Sequence, residues 1–374
     1  MRRSTLALVL AGAMLFAAGA ASLIADISSH DFPAFYAAAR LVALGQGPEI
    51  TDPAAILAME QTVEPRRDVI LPWVHLPAIA LLLSPLGALP FLVAAGLMAA
   101  LDTLCLVWSL RRLSSIFPNM DHRPLLFVIA ATAPPAIAAL TLGQTTPWLL
   151  ALVVAALSTK SPFGRGLALG LTMIRPQTAV LFAIAGMTSR RSAIGVLAGW
   201  GILGIASLTV VGPAGMVTYA QQLVGAASWS VTGEYGMRIA VGWPSVGIAL
   251  GHPAIGFALA IASLVLGAVV VASSSGRDRI IAAAAWCLIG TPHAQIPDAV
   301  VTYPAVAALA SRSNVAAVVV ISSGYLAMVV QANGLPVAPL WIVGLALATV
   351  VAGAVQRAHG CRGGSQPPPA VAVP

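Results

Sequence analysis

Charge is what this sequence has least of: aspartate, glutamate, lysine and arginine make up 8% of 374 residues, against about 25% in soluble domains. So few charges cannot cover a water-soluble fold. Cysteine is nearly as scarce, three in all. Cys105 and Cys287 lie within apolar segments and Cys361 in the C-terminal tail, so no spacing suggests a disulfide framework or a thiolate metal site. A Walker loop, a glycine-rich dinucleotide fingerprint, an HExxH pair and a Gly-x-Ser-x-Gly elbow are also missing. Nucleotide-driven chemistry is therefore unsupported, and no metal ligand set is expected.

Apolar residues make up 59% of the chain. They form runs near the ~20 residues that cross a ~30 Å hydrocarbon core, and the runs recur along the whole length. The sequence predicts an all-α polytopic membrane protein, one integral membrane domain over 1–374 with the bilayer as its first partner. The net charge of +7 comes from 19 basic residues scattered in ones and twos at the ends of apolar runs. That is the pattern of membrane orientation, and no nucleic acid is expected.

Apolar runs read against punctuation give spans near 5–25, 86–109, 124–141, 145–158, 166–174, 176–188, 193–211, 254–275, 280–291, 299–311, 315–332 and 337–356, twelve in all. The first is read as an uncleaved helix with Arg2 and Arg3 on the cytoplasmic side; a cleaved secretory signal is the rival reading. The decisive stretch is 166–188, one helix or two half-length ones. With two, fourteen of the nineteen basic residues lie inside. With one, everything downstream inverts against the positive-inside bias. Two are therefore preferred, the more so because Pro176 removes a backbone donor and disfavours helix at Arg175.

On this threading both termini are cytoplasmic, and the two largest loops, 26–85 and 212–253, face outward. Within the first, residues 32–44 have helical spacing and read as an interfacial helix stopped by Gly45 and Gly47, with Asp31 placed to cap it. The tail, 357–374, reads as disordered and cytoplasmic.

The candidate chemistry gathers on the outer side. Asp31 is either an N-cap, or a carboxylate able to take a proton from a hydroxyl, or both. His293 and Asp298 fall in Thr291-Pro-His-Ala-Gln-Ile-Pro-Asp298, a polar stretch framed by two prolines, which suggests a fixed turn. Gln144 lies in the short turn Gly143-Gln-Thr-Thr-Pro147. Arg175 with Gln177 suits a lipid-linked phosphate, which a guanidinium can grip through its planar fork; Arg238 is a second possible phosphate ligand. An arginine embedded at membrane depth is a functional candidate by default.

These stretches, in order, resemble glycosyltransferase family 87, also described as the DUF2029 family: Asp31-Phe-Pro-Ala-Phe-Tyr36 running on to Arg40, Gly45-Gln-Gly-Pro-Glu-Ile-Thr-Asp-Pro53, Leu81-Leu-Leu-Ser-Pro-Leu86, Gly143-Gln144, Arg175-Pro-Gln177 and Pro292-His293. The resemblance spans about residues 26–310. It implies the GT-C membrane architecture, with about twelve transmembrane segments and the site on extracytoplasmic loops of a cell-membrane protein. It also implies inverting transfer of a sugar, mannose by family likeness, from a polyprenyl-phosphate carrier to a glycolipid or glycan hydroxyl, with no cofactor beyond that lipid-linked donor. Asp31 matches the family's acid at the acceptor hydroxyl, and His293 the later Pro-His motif, as its partner or as the base itself. Arg175, Gln177, Gln144, Arg238, Tyr36, His75 and Asp298 are the expected substrate-binding residues. The family's Tyr-Pro-Pro stands here as His75-Leu-Pro77, its Tyr-Asp-Pro as Thr51-Asp-Pro53 and its Lys-Pro-Gln as Arg175-Pro-Gln177, so two rings that would stack on sugar are missing. A secondary transporter or flippase for a lipid-linked or small polar substrate is the alternative.

Overall fold

The structure is a computed structural model that describes residues 31–68, 73–117, 124–229, 240–291, 294–333, 335 and 337–363, with Leu6 and Ala13. The expected first span, 5–25, and the tail beyond 363 lie outside the described residues. In chain order the helices are α1 (Phe32–Ala43), α2 (Pro53–Gln61), α3 (Pro77–Gly87), α4 (Phe91–Ile116), α5 (Pro124–Ala131), α6 (Pro134–Leu142), α7 (Thr146–Ser158), α8 (Pro162–Leu171), α9 (Pro176–Gly186), α10 (Arg190–Trp229), α11 (Trp243–Ala249), α12 (Pro253–Ser273), α13 (Gly276–Trp286), α14 (Tyr303–Ala310), α15 (Asn314–Ala332) and α16 (Ala338–Gly363). Short 3₁₀ segments occupy Gly47–Thr51, Thr172–Ile174 and Ile296–Thr302. Among the described residues the one β contact is an isolated antiparallel bridge between Ala240 and Gln295. The all-helical expectation holds.

Among the described residues, three helices are long and apolar enough to cross a membrane: Phe91–Ile116, Arg190–Val224 and Pro253–Ser273. Seven shorter apolar helices of 10–17 residues accompany them. Proline explains much of the shortening. The run expected as one span over 124–141 breaks before Pro134 and Pro135, neither of which can donate to a helical ladder. The stretch 166–188 is likewise two helices: α8 ends in one 3₁₀ turn, Arg175 is extended (φ −122°, ψ 85°), and Pro176 opens α9.

Three of the expected segments show further local structure. The helical run expected to end at 211 does break there, at the non-helical Gly212 (φ 68°, ψ 177°), and residues 213–229, placed in an outer loop, form a further helical stretch of α10 that ends at Trp229. The Gly-Pro pair interrupts the helix as such pairs do, and the chain resumes as helix after it. The tail expected to be disordered from 357 is helical to Gly363. Finally, α1 does stop at Gly45 (φ 77°), and it packs against the rest of the protein through Phe32, Phe35, Tyr36 and Leu41, which are all buried.

What buries α1 is close helix crossing. Gly87 on α3 lies so near Ala39 that an added methyl would overlap the α1 backbone. The Ser207 hydroxyl on α10 accepts from the Ala78 amide at 3.1 Å, satisfying a donor at the start of α3. A second close crossing joins α8 and α10. Gly166 and Gly170 face the backbone of Ser192 and Val196, while Gly195 and Gly199 face Phe163 and Gly170. Four-residue glycine spacing on both partners allows the backbone approach by which helices associate in lipid.

Candidate active site

Five polar side chains meet where helices begin, end or break. Asp31 precedes α1, Gln144 and Thr145 link α6 to α7, Arg175 separates α8 from α9, and Asp298 sits in the 3₁₀ segment before α14. The Gln144 amide nitrogen donates to Asp31 Oδ2, and the Gln144 carbonyl accepts from Arg175. Arg175 also forms a buried ion pair with Asp298 Oδ1 and donates from Nε to Thr145 Oγ1 at 3.5 Å. The second Asp298 oxygen accepts from the Gln295 amide at 2.9 Å. The result is one unbroken chain: Asp31, Gln144, Arg175, Asp298. Arg175 is 3% exposed and Asp298 1%, so this polar set is interior and every partner offsets a desolvation cost.

Local backbone explains why the residues point this way. Asp31 makes no side-chain cap on α1. Pro33 has no N–H to offer at the second helical position, and the Ala34 amide is already taken by the Asp31 carbonyl at 3.0 Å. The carboxylate is thereby released toward Gln144, and the expected cap is replaced by that contact. Gly143 ends α6 in the left-handed region (φ 67°, ψ 42°), and a Cβ there would come within 2.8 Å of Phe32 Cβ. Glycine is needed for both reasons, and the turn it makes delivers Gln144. A bond from the Asp31 amide to the Leu142 carbonyl, 3.2 Å, ties the two segments together.

Two groups absent from the sequence-based expectation flank Asp31. Glu60 and Arg67 form an ion pair at 2.5 Å with side chains 1% and 7% exposed, and the charge of Arg67 is felt at Asp31. Burial raises the Asp31 carboxyl above its ordinary 3.8; the Gln144 bond, Arg67 and Arg175 oppose that rise, and Asp298 adds to it. Burial likewise raises Glu60 from 4.5 against the pull of Arg67. The second group is Trp73, whose ring lies 5.6 Å from Phe35 and 5.4 Å from His75, with Phe35 and His75 at 4.6 Å. The three rings form a buried cluster that packs against α1. Its only sequence signal was a tryptophan two residues before His75.

The other expected residues are placed as follows. Tyr36 donates to the Leu89 carbonyl at 2.7 Å and packs on Phe91, so it ties α1 to the α3–α4 turn. The main-chain oxygen of Gln177 accepts from Thr291 Oγ1 at 3.0 Å, while its side-chain Oε1 has no hydrogen-bond partner among the described residues. His293 and Arg238 lie outside the described residues. The flanks of His293 are held at Thr291 by Gln177 and at Ala294, whose carbonyl accepts from Val241 at 2.8 Å. No group of three or more His, Cys, Asp or Glu side chains suited to a metal is found among the described residues. Next to the Asp298 segment is an almost wholly apolar cleft of about 720 Å³, lined by Ala299, Thr302, Tyr303, Met328 and Trp341 among others.

The profile of glycosyltransferase family 87 matches residues 73–291, more than half of the chain. That segment carries His75, Gln144, Arg175, Gln177 and Arg238. Asp31 precedes it, and His293 and Asp298 follow it. No curated protein and no solved structure shows significant similarity to the chain. The family match and the long apolar helices together identify the protein as a member of glycosyltransferase family 87, a membrane glycosyltransferase.

Proposed function

We propose that this protein transfers a hexose, mannose by family likeness, from a polyprenyl-phosphate carrier to the hydroxyl of a glycolipid or glycan, with inversion, on the outer face of the cell membrane. The reading places about twelve crossings, both termini in the cytoplasm and the polar chain on the extracytoplasmic side. Asp31 is the general base, with His293 as its partner. The observation that carries the assignment is a carboxylate at the head of α1 that accepts one bond from the Gln144 amide and, through it, joins the buried chain of Arg175 and Asp298. A base poised in this way suits removal of a hydroxyl proton. The anomeric carbon is attacked from the side opposite the phosphate, and charge develops on the departing phosphate, where placed cations are most effective. Of the two cations expected there, Arg175 is engaged with Gln144 and Asp298, which leaves Arg238.

A lipid-linked donor is supported by the cleft beside Asp298. An apolar recess whose wall includes Ala299, the chain neighbour of Asp298, suits a hydrocarbon chain. The test is transfer by purified protein supplied with radiolabelled polyprenyl-phosphate-mannose and a membrane lipid extract, with a nucleotide sugar in a parallel reaction. Label should reach lipid or glycan from the polyprenyl donor alone. Transfer from the nucleotide sugar alone, or substrate flux in proteoliposomes without any transfer, would contradict the proposal.

A further inference from the structure

We infer that Arg175 and Asp298 are positioning residues: acting through Gln144, they hold Oδ2 of Asp31 and leave Oδ1 to receive the acceptor's proton. This rests on the reading of Asp31 as the base, and it gives Arg175 a different task from binding a lipid phosphate.

The argument begins with what Arg175 has left to offer. Its Nε faces Thr145, one terminal nitrogen faces Asp298 and the other faces Gln144. With 3% of its surface exposed, it presents little to a ligand. Its counter-ion is equally fixed, since one Asp298 oxygen meets Arg175 and the other the Gln295 amide.

The consequence for Gln144 follows from valence. A guanidinium only donates, so the Gln144 group facing it must be the carbonyl. The amino group must then face the other way, toward Asp31, where only an acceptor fits. Oδ2 is thus held as an acceptor, and among the described residues Oδ1 carries no hydrogen bond from a side chain. In the transfer step the acceptor O–H proton goes to Oδ1 while the acceptor oxygen bonds to the anomeric carbon. The bond from that carbon to the phosphate oxygen breaks, and its electron pair leaves with the phosphate. Asp31 ends as a neutral carboxyl and returns its proton to water.

The charges facing Asp31 are Arg67 and Arg175, with Asp298 and Glu60 behind them. Removing the Arg175 charge, or severing its link at Gln144, therefore disfavours the ionised base.

The experiment compares full-length wild type with Gln144→Met, Arg175→Gln, Asp298→Asn, the double variant Gln144→Met/Arg175→Gln and Asp31→Asn, using polyprenyl-phosphate-mannose as donor. Thermal midpoints are followed in detergent. For Gln144→Met and Arg175→Gln, kcat should fall about 10- to 100-fold, a part of the ~10²–10⁴ that general base catalysis contributes, and donor KM should stay within about twofold. The acid limb of the kcat profile should move to higher pH, and the double variant should be no slower than the worse single one. Gln144→Met keeps side-chain volume and leaves the Arg175–Asp298 pair whole, so it keeps the test open if Arg175→Gln fails to fold. A tenfold or larger rise in donor KM for Arg175→Gln, absent from Gln144→Met, would show Arg175 to be a phosphate ligand and overturn the inference. If Asp31→Asn is inactive while Gln144→Met keeps the wild-type kcat and acid limb, the positioning role alone fails. If Asp31→Asn stays active, the base assignment beneath it fails.

Discussion

Asp31 and Gln144, 113 residues apart in the chain, are joined by a hydrogen bond from the Gln144 amide to the Asp31 carboxylate. That bond connects the head of α1 to the turn between α6 and α7, and through Arg175 and Asp298 to two further breaks in the helical stack. Irregular backbone at membrane depth persists where protein or a wet cavity satisfies it. Here the irregular points satisfy one another.

The first prediction concerns pH. Burial raises Asp31 above 3.8, and a base must be unprotonated, so transfer should fall as pH drops through that raised value. The rate profile should show an acid limb above 3.8 that vanishes from the residual rate of Asp31→Asn. Stability has the opposite sign. A carboxyl raised in the folded state contributes most below its unfolded value, and that contribution is lost as pH rises through the folded one. Thermal midpoints of Asp31→Asn should therefore gain on wild type as pH rises above 3.8.

Gly143→Ala should weaken both fold and activity. The left-handed backbone costs an L-residue roughly 1–2 kcal/mol, and the new methyl would meet Phe32 Cβ at 2.8 Å, adding about 1–3 kcal/mol of overpacking. A lowered thermal midpoint with a reduced transfer rate is expected. An unchanged midpoint would show that Gln144 does not depend on this turn.

The ion pair of Glu60 and Arg67 should behave as a unit. Arg67→Gln leaves Glu60 buried without its cation, a loss of about 3–5 kcal/mol when one member of a buried pair is removed. The double variant Glu60→Gln/Arg67→Met, which removes both charges, should recover much of that loss in a melting experiment. Equal destabilisation of single and double variants would show that the two side chains act independently.

Much of the architecture was legible, because composition and proline placement act locally. Scarce charge with long apolar runs pointed to a membrane protein, and Pro176 forecast the break at Arg175 that the backbone shows. Gly45 forecast the end of α1. Partners were harder to read. Periodicity marks α1 as amphipathic without revealing that Gly87 of α3 brings a second helix against it. Asp31, Gln144, Arg175 and Asp298 were each singled out, but no spacing rule joins residues 31, 144, 175 and 298 into one chain of bonds. Arg66 and Arg67 look alike in sequence; only Arg67 is buried, against Glu60, because the turn after α2 carries it inward. Trp73 was passed over for a similar reason, since a single aromatic in a loop carries no periodic signal.

The central claim is that Asp31 removes the acceptor's proton in a sugar transfer. It is tested most directly by the initial rate of mannosyl transfer from polyprenyl-phosphate-mannose by wild type and Asp31→Asn, measured on folded preparations at the same pH. Asparagine can still accept from Gln144, so the fold and donor binding should persist while the rate falls by about 10²–10⁴, the range of general base catalysis. A variant that transfers sugar at the wild-type rate would contradict the account.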